Sequence, residues 1–251
     1  MLTNLFLIVT ASLLALACSN DGAGAGAVRD DAAGDARIVP VGLNVTARPG
    51  GCGVLNVTAL TLRRGPSNGE LYAALKNEGA SPACSPSFSV ELFDEADQPL
   101  ATGLGGLLVK GFYRLTDGSE TVAGCVGPGD VAMVAISDLP AELVVEDVNN
   151  VIYGCNFWML EVEPIAGVTV GDVNVVEQGD GASYTGALVN GLDVALSNPS
   201  VAVFPLNRMG RPLGVALGTG TVDVPAGGTW QFETTTVNEA GVDSAAYPAH
   251  G

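Results

Sequence analysis

The sequence predicts an all-β protein in which two β-sandwich domains follow one another along the chain. Short runs of Val, Thr, Leu and Ala alternate with Gly, Pro, Asn and Asp, a pattern typical of strands joined by tight turns. Glycine is abundant, with 34 residues, whereas charged residues make up only 15%. A shift of 113 positions places residues 55–104 on residues 168–217 without a gap, so one plan of strands and turns occurs twice. Each copy has about 100 residues, which is the size of a β-sandwich domain.

The first 17 residues predict a signal for export. Residues 5–17 are largely apolar and are followed by polar residues from Ser19 onwards. A membrane-spanning helix needs about 20 apolar residues to cross a hydrocarbon core of about 30 Å, and this run is shorter. A short apolar run that ends in small residues is typical of a signal peptide.

The end of this signal resembles the lipobox of bacterial lipoproteins. Ala15, Leu16 and Ala17 occupy the three positions before Cys18, although leucine is usual at the first of them. The start of the chain also departs from the pattern, because residues 1–4 contain no Lys or Arg. The resemblance implies cleavage before Cys18, lipidation of its thiol and, since no Asp follows the cysteine, an outer-membrane location. An ordinary secretory signal with an incidental cysteine is the alternative.

Residues 18–38 predict a flexible tether, because they are rich in Gly, Ala and Asp and cannot bury a core. About 20 such residues span about 25 Å, which separates a folded domain from a lipid surface. The chain has 10 basic and 27 acidic residues, a net charge of −17. Such a charge repels phosphates, so we expect no nucleic acid partner and attachment to the membrane through the lipid alone.

The first copy, residues 39–164, is expected to contain strands at 54–62, 71–76, 87–93 and 131–136, where apolar residues alternate between polar turns. Residues 150–162 are apolar on both parities, which indicates a strand that is buried on both faces and covered by another element. Beyond residue 104 the offset between the copies falls from 113 to 98, so the first copy has 15 additional residues. We interpret them as an insertion at about 105–124.

The second copy, residues 165–251, repeats this plan with a short final strand at 242–247. Asn77 coincides with Asn190, and Pro99 coincides with Pro212. The other expected strands of this copy are 168–176, 184–189, 200–206 and 229–235.

Residues 90–94, Val-Glu-Leu-Phe-Asp, resemble the motif of the FxLYD domain family. Asn77 before the motif and Asp97 and Pro99 after it belong to the resemblance, while Val replaces the first Phe and Phe replaces the Tyr. The second copy keeps only the outline, at residues 203–207. The resemblance implies immunoglobulin-like sandwiches on envelope lipoproteins and secreted proteins, and it implies no catalytic residue and no cofactor.

Four cysteines besides Cys18 predict two disulfides in an exported protein. Zinc is the alternative, but the chain has no C-x-x-C pair and its single histidine is His250, next to the C-terminus. The four are Cys52, Cys84, Cys125 and Cys155.

The repeat favours one of the three possible pairings. Cys84 and Cys125 are both replaced in the second copy, by Ser and Asp, which is expected if they bond to each other. That pairing leaves Cys52, ahead of the first strand, to bond with Cys155 in the last.

No catalytic constellation is evident, and we expect neither a metal nor a cofactor. A Ser-His-Asp or Cys-His site would need the terminal His250. A carboxylate-dependent hydrolase is the alternative, because paired carboxylates cannot be recognised from spacing. The densest acidic cluster has the pattern of a solvated strand end and turn, and comprises Glu91, Asp94, Glu95 and Asp97.

Phe112 and Tyr113 are the predicted contact residues, because insertions tend to lie at surfaces and to carry function. The alternative is that the insertion only covers residues 150–162. Trp158 and Trp230 lie on strands, where aromatic side chains mostly belong to the core, and a role as ligand platforms is the alternative. The sequence therefore predicts a non-enzymatic, lipid-anchored envelope protein that presents its domains to a protein or ligand, with a passive spacer as the other alternative.

Substitution of Cys18 by alanine is expected to release the protein from the membrane, because no thiol remains to carry the lipid. Partition between water and detergent, together with the intact mass, measures this outcome. A variant that keeps the parent's processed mass and detergent partition would contradict the lipid anchor.

Overall fold

The computed structural model of the protein describes residues 43–65, 67–109, 111–116, 122–165, 167–179, 181–238, 241 and 243–249. The predicted signal peptide, Cys18, the tether and His250 lie outside these residues. The described chain is all-β, as predicted, with a single turn of 3₁₀ helix at Val145–Asp147. Within it, no helix is long and apolar enough to span a bilayer.

Sixteen strands account for most of the described chain. In order they are β1 (Asn44–Ala47), β2 (Leu55–Arg64), β3 (Gly69–Asn77), β4 (Ala83–Phe93), β5 (Pro99–Leu108), β6 (Gly111–Leu115), β7 (Val122–Val126), β8 (Val131–Leu139), β9 (Asn150–Trp158), β10 (Val162–Ile165), β11 (Val168–Gln178), β12 (Gly181–Asn190), β13 (Ser200–Leu206), β14 (Ala216–Thr219), β15 (Thr229–Glu233) and β16 (Asp243–Ala249).

In the first copy β5 connects two layers of antiparallel strands. It pairs with β4 over most of its length, and its last two residues, Leu107 and Leu108, pair with β8. One layer therefore contains β2, β3 and β8, and the other contains β5, β4 and β9, with the short β1 parallel to β9. Strand alternation points Leu71, Phe88 and Val134 into the core between the layers.

The second copy repeats this pairing order. The order β2–β3–β8 corresponds to β11–β12–β15, and β5–β4–β9 corresponds to β14–β13–β16. The equivalent strands β2 and β11 also share a register shift, which lies at Val57/Ala59 in β2 and at Gly171/Asn174 in β11. The two halves of the sequence repeat thus form the same arrangement of strands.

A fully buried asparagine, Asn77, ends strand β3 of the first copy. The Asn77 amide nitrogen Nδ2 donates hydrogen bonds to the carbonyl oxygens of Ser81 (2.9 Å) and Val126 (2.8 Å). Its Oδ1 accepts a bond from the backbone N–H of Gly79 at 2.8 Å. The backbone carbonyl of Asn77 accepts a further bond from Gly129 at 2.8 Å. One side chain therefore connects the end of β3 to the next loop and to the end of β7.

Asn190 makes the same set of bonds in the second copy. Its Nδ2 donates to Val194 O at 2.8 Å and to Val224 O at 3.0 Å, and its Oδ1 accepts from Leu192 N at 3.0 Å. Its backbone carbonyl accepts from Gly227 at 2.8 Å. The coincidence of Asn77 with Asn190 in sequence is thus explained by one buried hydrogen-bonding role.

The outer face of β3 and β8 packs on β13 and β16, so the two copies share a buried apolar cluster. Phe204 lies edge-on between Tyr72 of the first copy and Tyr247 of the second, with ring centroids 6.5 and 5.7 Å apart. Met133 belongs to the same cluster. Strand β3 is therefore buried on both faces from Leu71 to Leu75.

The strand expected to be buried on both faces was 150–162, and that prediction is wrong. In β9 the side chains of Val151 and Tyr153 point into the core, whereas Asn156 and Trp158 are exposed. The second copy covers β3 and β8 instead, and the described part of the insertion does not lie over β9.

Substitution of Asn77 or Asn190 by alanine is expected to lower the free energy of unfolding by about 3 kcal/mol. Each change removes the hydrogen bonds of one buried amide to one N–H and to two carbonyls (Asn77) or three (Asn190), and a buried group that loses its only partner costs about 1–3 kcal/mol. Denaturant unfolding measures the loss. Asn174→Ala is the control, because Asn174 is exposed and donates one bond, to Asp172 O. If the Asn77 and Asn190 variants lost no more free energy of unfolding than the Asn174 control, this role would be contradicted.

Candidate functional site

Phe112 is a core residue, so its predicted role as an exposed contact anchor is wrong. Its side chain is 2% exposed and packs with Val168, Val170 and Leu192 of the second copy. The cause is the pairing of β6 with β10, which places Phe112 opposite Ile165 at the connection between the copies. Strands β6 and β7 of the insertion thus extend the sheet beyond β4, and Phe112 packs against the second copy.

Tyr113, the other predicted contact residue, is half-buried. Its hydroxyl lies over Gly127, where an added Cβ would meet the Tyr113 hydroxyl and Asp130 Oδ2, each at 2.6 Å. Burial, and secondarily the negative charge of Asp130, raises the pKa of the Tyr113 phenol. Tyr113 is therefore only partly accessible, and its role as a contact residue stays a prediction.

Both predicted disulfides are formed, Cys84–Cys125 and Cys52–Cys155. Cys84 and Cys125 are buried and lie directly opposite each other on β4 and β7, so their bond secures the insertion to the sheet. The second bond attaches the loop before β2 to β9.

A pocket of about 540 Å³ lies beside this second bond, on the outer side of β4 and β9. We call it the Trp158 pocket. The side chain of Trp158 is 67% exposed and forms one wall. Gly50, Gly51 and Gly53 form the opposite rim. The volume lies within the range of about 300–1,000 Å³ that is usual for small-molecule sites.

The polar side chains that line the Trp158 pocket are uncharged. Ser87 and Asn156 lie opposite each other in the register of β4 and β9 and project outward. Ser85 also contributes to the lining, and none of the described lining residues is charged. The pocket therefore offers hydroxyl and amide groups beside the aromatic side chains of Trp158 and Phe157.

The glycine rim is held in place by one disulfide and two hydrogen bonds. Besides the Cys52–Cys155 bond, the backbone N–H of Cys155 donates to Gly51 O at 2.8 Å. The N–H of Gly51 in turn donates to Arg48 O at 2.7 Å. Gly50 and Gly53 have φ of +72° and +52°, conformations that glycine adopts without strain. The rim is thus a defined turn without side chains that would close the pocket.

Sequence reasoning placed Trp158 in the core, and the structure contradicts this. Strand alternation was the available signal, because Val151 and Tyr153 on one parity imply that Asn156 and Trp158 face the other way. Alternation alone does not tell whether the other face is covered. Trp230, the second tryptophan, is half-buried against Phe232, at a centroid distance of 5.9 Å.

Ser85 connects the Trp158 pocket to a second cavity of about 480 Å³ between the two copies. The lining of this cavity is mainly apolar and includes Leu108, Ala202 and Leu217. Ser85 has φ of +48° and precedes Pro86, as Asn198 with the same φ precedes Pro199. This irregularity in β4 is therefore a feature of both copies and belongs to the fold.

The acidic cluster suggested for hydrolysis has a structural role at Asp94. Its Oδ1 accepts bonds from the N–H groups of Ala96 and Gln98, both at 2.8 Å, and thereby shapes the turn before β5. Asn207 makes the equivalent bonds in the second copy, to Met209 N and Arg211 N. Among the described residues, no group of three metal-binding side chains is found.

A second charged cluster lies near the contact between the copies. Arg63 Nε is 2.7 Å from Glu70 Oε2, and the hydroxyl of Tyr72 donates to the same oxygen at 2.8 Å. The Arg63 guanidinium lies 5.2 Å from the centre of the Tyr72 ring. Burial raises the pKa of Tyr72 further than the positive charge of Arg63 lowers it. The phenol therefore stays protonated and supports the packing of Tyr72 on Phe204.

Comparison with known proteins does not assign a function to these features. No protein-family model matches the chain, and no curated protein sequence matches it either. The resemblance to the FxLYD family therefore stays a prediction.

The alanine variant of Phe112 is expected to lower the free energy of unfolding by about 3–5 kcal/mol, the usual loss for a buried phenylalanine. Trp158→Ala is the matched control, since removal of an exposed side chain usually changes stability by less than about 0.5 kcal/mol. Denaturant unfolding of both variants distinguishes the core residue from the exposed one. Equal losses would contradict the placement of these two aromatic side chains.

Proposed function

We propose that this chain is a non-enzymatic, lipid-anchored protein of the cell envelope that binds a ligand or partner at the Trp158 pocket. The observation that carries the proposal is the exposure of Trp158 beside the polar groups of Ser87 and Asn156. Tryptophan is enriched at interfaces and is among the residues that most often carry binding free energy, so an exposed tryptophan beside polar groups is a candidate contact residue.

The proposed anchor is the lipid on Cys18, followed by the tether of residues 18–38. The two copies, 39–164 and 165–251, are then tandem immunoglobulin-like domains. Their antiparallel layers and their length of about 100 residues support this assignment. The face of β3 and β8 is occupied by the second domain, which leaves the outer face of β4 and β9 available to a partner.

The charge distribution supports binding over hydrolysis at this site. The described lining of the Trp158 pocket contains no carboxylate, whereas glycoside hydrolysis uses two that flank the scissile bond. A passive spacer, the other alternative, would have no need of an exposed tryptophan beside a rim fixed by a disulfide.

Recovery of bound components from native membranes tests the proposal. The wild-type protein, extracted in a mild detergent, is expected to retain a protein or glycan that Trp158→Ala loses by about tenfold or more, as for a central contact residue. Met209→Ala is the control, because Met209 is 69% exposed in the turn after β13, far along the chain from the pocket. Mass spectrometry and sugar analysis identify the component.

Retention of the same components by wild type and Trp158→Ala would contradict the proposed site. Retention of nothing by the wild type would favour the spacer.

A further inference from the structure

We infer that the ligand of the Trp158 pocket is a neutral saccharide. This inference rests on the proposed function, and it adds the chemical class of the ligand. It follows from three properties of the pocket: an exposed aromatic plane, uncharged polar groups beside it, and a rim that is fixed before binding.

The aromatic plane matches one face of a sugar ring. A pyranose presents axial C–H groups on a face and hydroxyl groups around its edge, so its face packs on an aromatic ring while its edge remains polar. Trp158 is the only tryptophan in the lining, and it lies at the end of β9 with its side chain directed to the outer face of the sheet. Indole offers the largest such plane among side chains.

The polar groups match the hydroxyls at the edge of the ring. Asn156 supplies an amide that both donates and accepts, and Ser85 and Ser87 supply hydroxyls that do the same. Hydroxyl groups of a sugar also donate and accept, so each can be paired without a charge. A charged ligand would lack a counter-charge in the described lining, and binding it would cost free energy.

The net charge of −17 disfavours the anionic alternatives. A nucleotide could stack on Trp158, but its phosphates would be repelled by the acidic surface. An acidic polysaccharide meets the same repulsion. A proline-rich peptide is uncharged and also packs on tryptophan, so it is the remaining competitor and an outcome of the test.

The fixed rim favours a weakly binding ligand such as a sugar. The Cys52–Cys155 bond and the hydrogen bond from Cys155 N to Gly51 O hold the loop in the ligand-free protein. Binding then requires little ordering of the loop. The small favourable free energy of a few polar contacts is therefore not cancelled by an entropic cost. The absence of side chains at the glycine rim lets a ring approach the backbone closely.

The second cavity lies next to the Trp158 pocket, because Ser85 lines both. We propose that a chain of sugar units stacked on Trp158 reaches the second cavity at Ser85. An oligosaccharide is therefore expected to bind more tightly than its monosaccharide.

Fluorescence titration of the full-length lipoprotein tests the inference. The protein carries Trp230→Phe, which leaves Trp158 as its single tryptophan, and is held in a polyoxyethylene detergent that has no sugar headgroup. The probes are the neutral hexasaccharides of glucose (β-1,4 and α-1,4), N-acetylglucosamine, xylose and mannose, with decaproline and polygalacturonic acid as the peptide and acidic probes. At least one neutral hexasaccharide is expected to shift the emission of Trp158 in a saturable way.

Alanine variants test whether the hexasaccharide binds in the pocket. Calorimetry measures their affinities, because Trp158→Ala removes the fluorescent side chain. Trp158→Ala is expected to weaken the affinity for that hexasaccharide at least about tenfold, and Asn156→Ala by a smaller factor. Met159→Ala is the matched control, since Met159 is the next residue, is 55% exposed and does not line the pocket. It is expected to leave the affinity unchanged.

Two results would overturn the inference. One is saturable binding of decaproline or polygalacturonic acid in preference to every neutral hexasaccharide. The other is no binding of any neutral hexasaccharide. If native membranes still yield a component that depends on Trp158, the proposed function stands and only the ligand class is wrong; if they do not, both fail.

Discussion

One buried amide in each copy connects segments that are distant in sequence, and the arrangement of strands depends on it. Asn77 joins the end of β3 to the loop that follows it and to Val126, and Asn190 does the same with Val224. A different arrangement of the loops would deprive this buried amide of hydrogen bonds in an apolar environment, which costs free energy. The asparagine thus favours one arrangement of strands in each copy. Apolar contacts alone would discriminate less between alternative arrangements, because they are not directional.

The contact between the copies is a second constraint, and it accounts for much of the apolar character of the chain. An isolated antiparallel sandwich would present polar residues on the outer faces of its sheets. Here Tyr72 and Met133 occupy such a face and are covered by Phe204 and Tyr247. The wedge formed by Phe112 at the connecting strand adds a second point of contact. The orientation of the copies is therefore determined by packing at two places, and the cleft between them has a defined shape.

The strands, the repeat and the disulfide pairing could be predicted because they leave local or pairwise marks in the sequence. Turn residues recur at one offset, and Cys84 and Cys125 disappear together in the second copy. Burial depends on which element covers a face, and the sequence carries no local record of that. Phe112 is buried because β6 pairs with β10 about fifty residues later, and Trp158 is exposed because the described chain places nothing over β9. The site was missed for this reason, although Asn156 and Trp158 were on a correctly predicted strand.

The parallel pairing of β1 with β9 determines how the molecule would respond to a pull between the start of β1 and the end of β9. Asn44 to Ala47 pair in parallel with Asn150 to Tyr153, so a pull on the two far ends loads all the hydrogen bonds of this pair together, in shear. Beyond that pair, the Cys52–Cys155 bond passes the load covalently from one strand to the other. The 102 residues between the two cysteines are thereby removed from the line of force. Under such a pull the segment ahead of Cys52 would lengthen, whereas the loop closed by the disulfide would not.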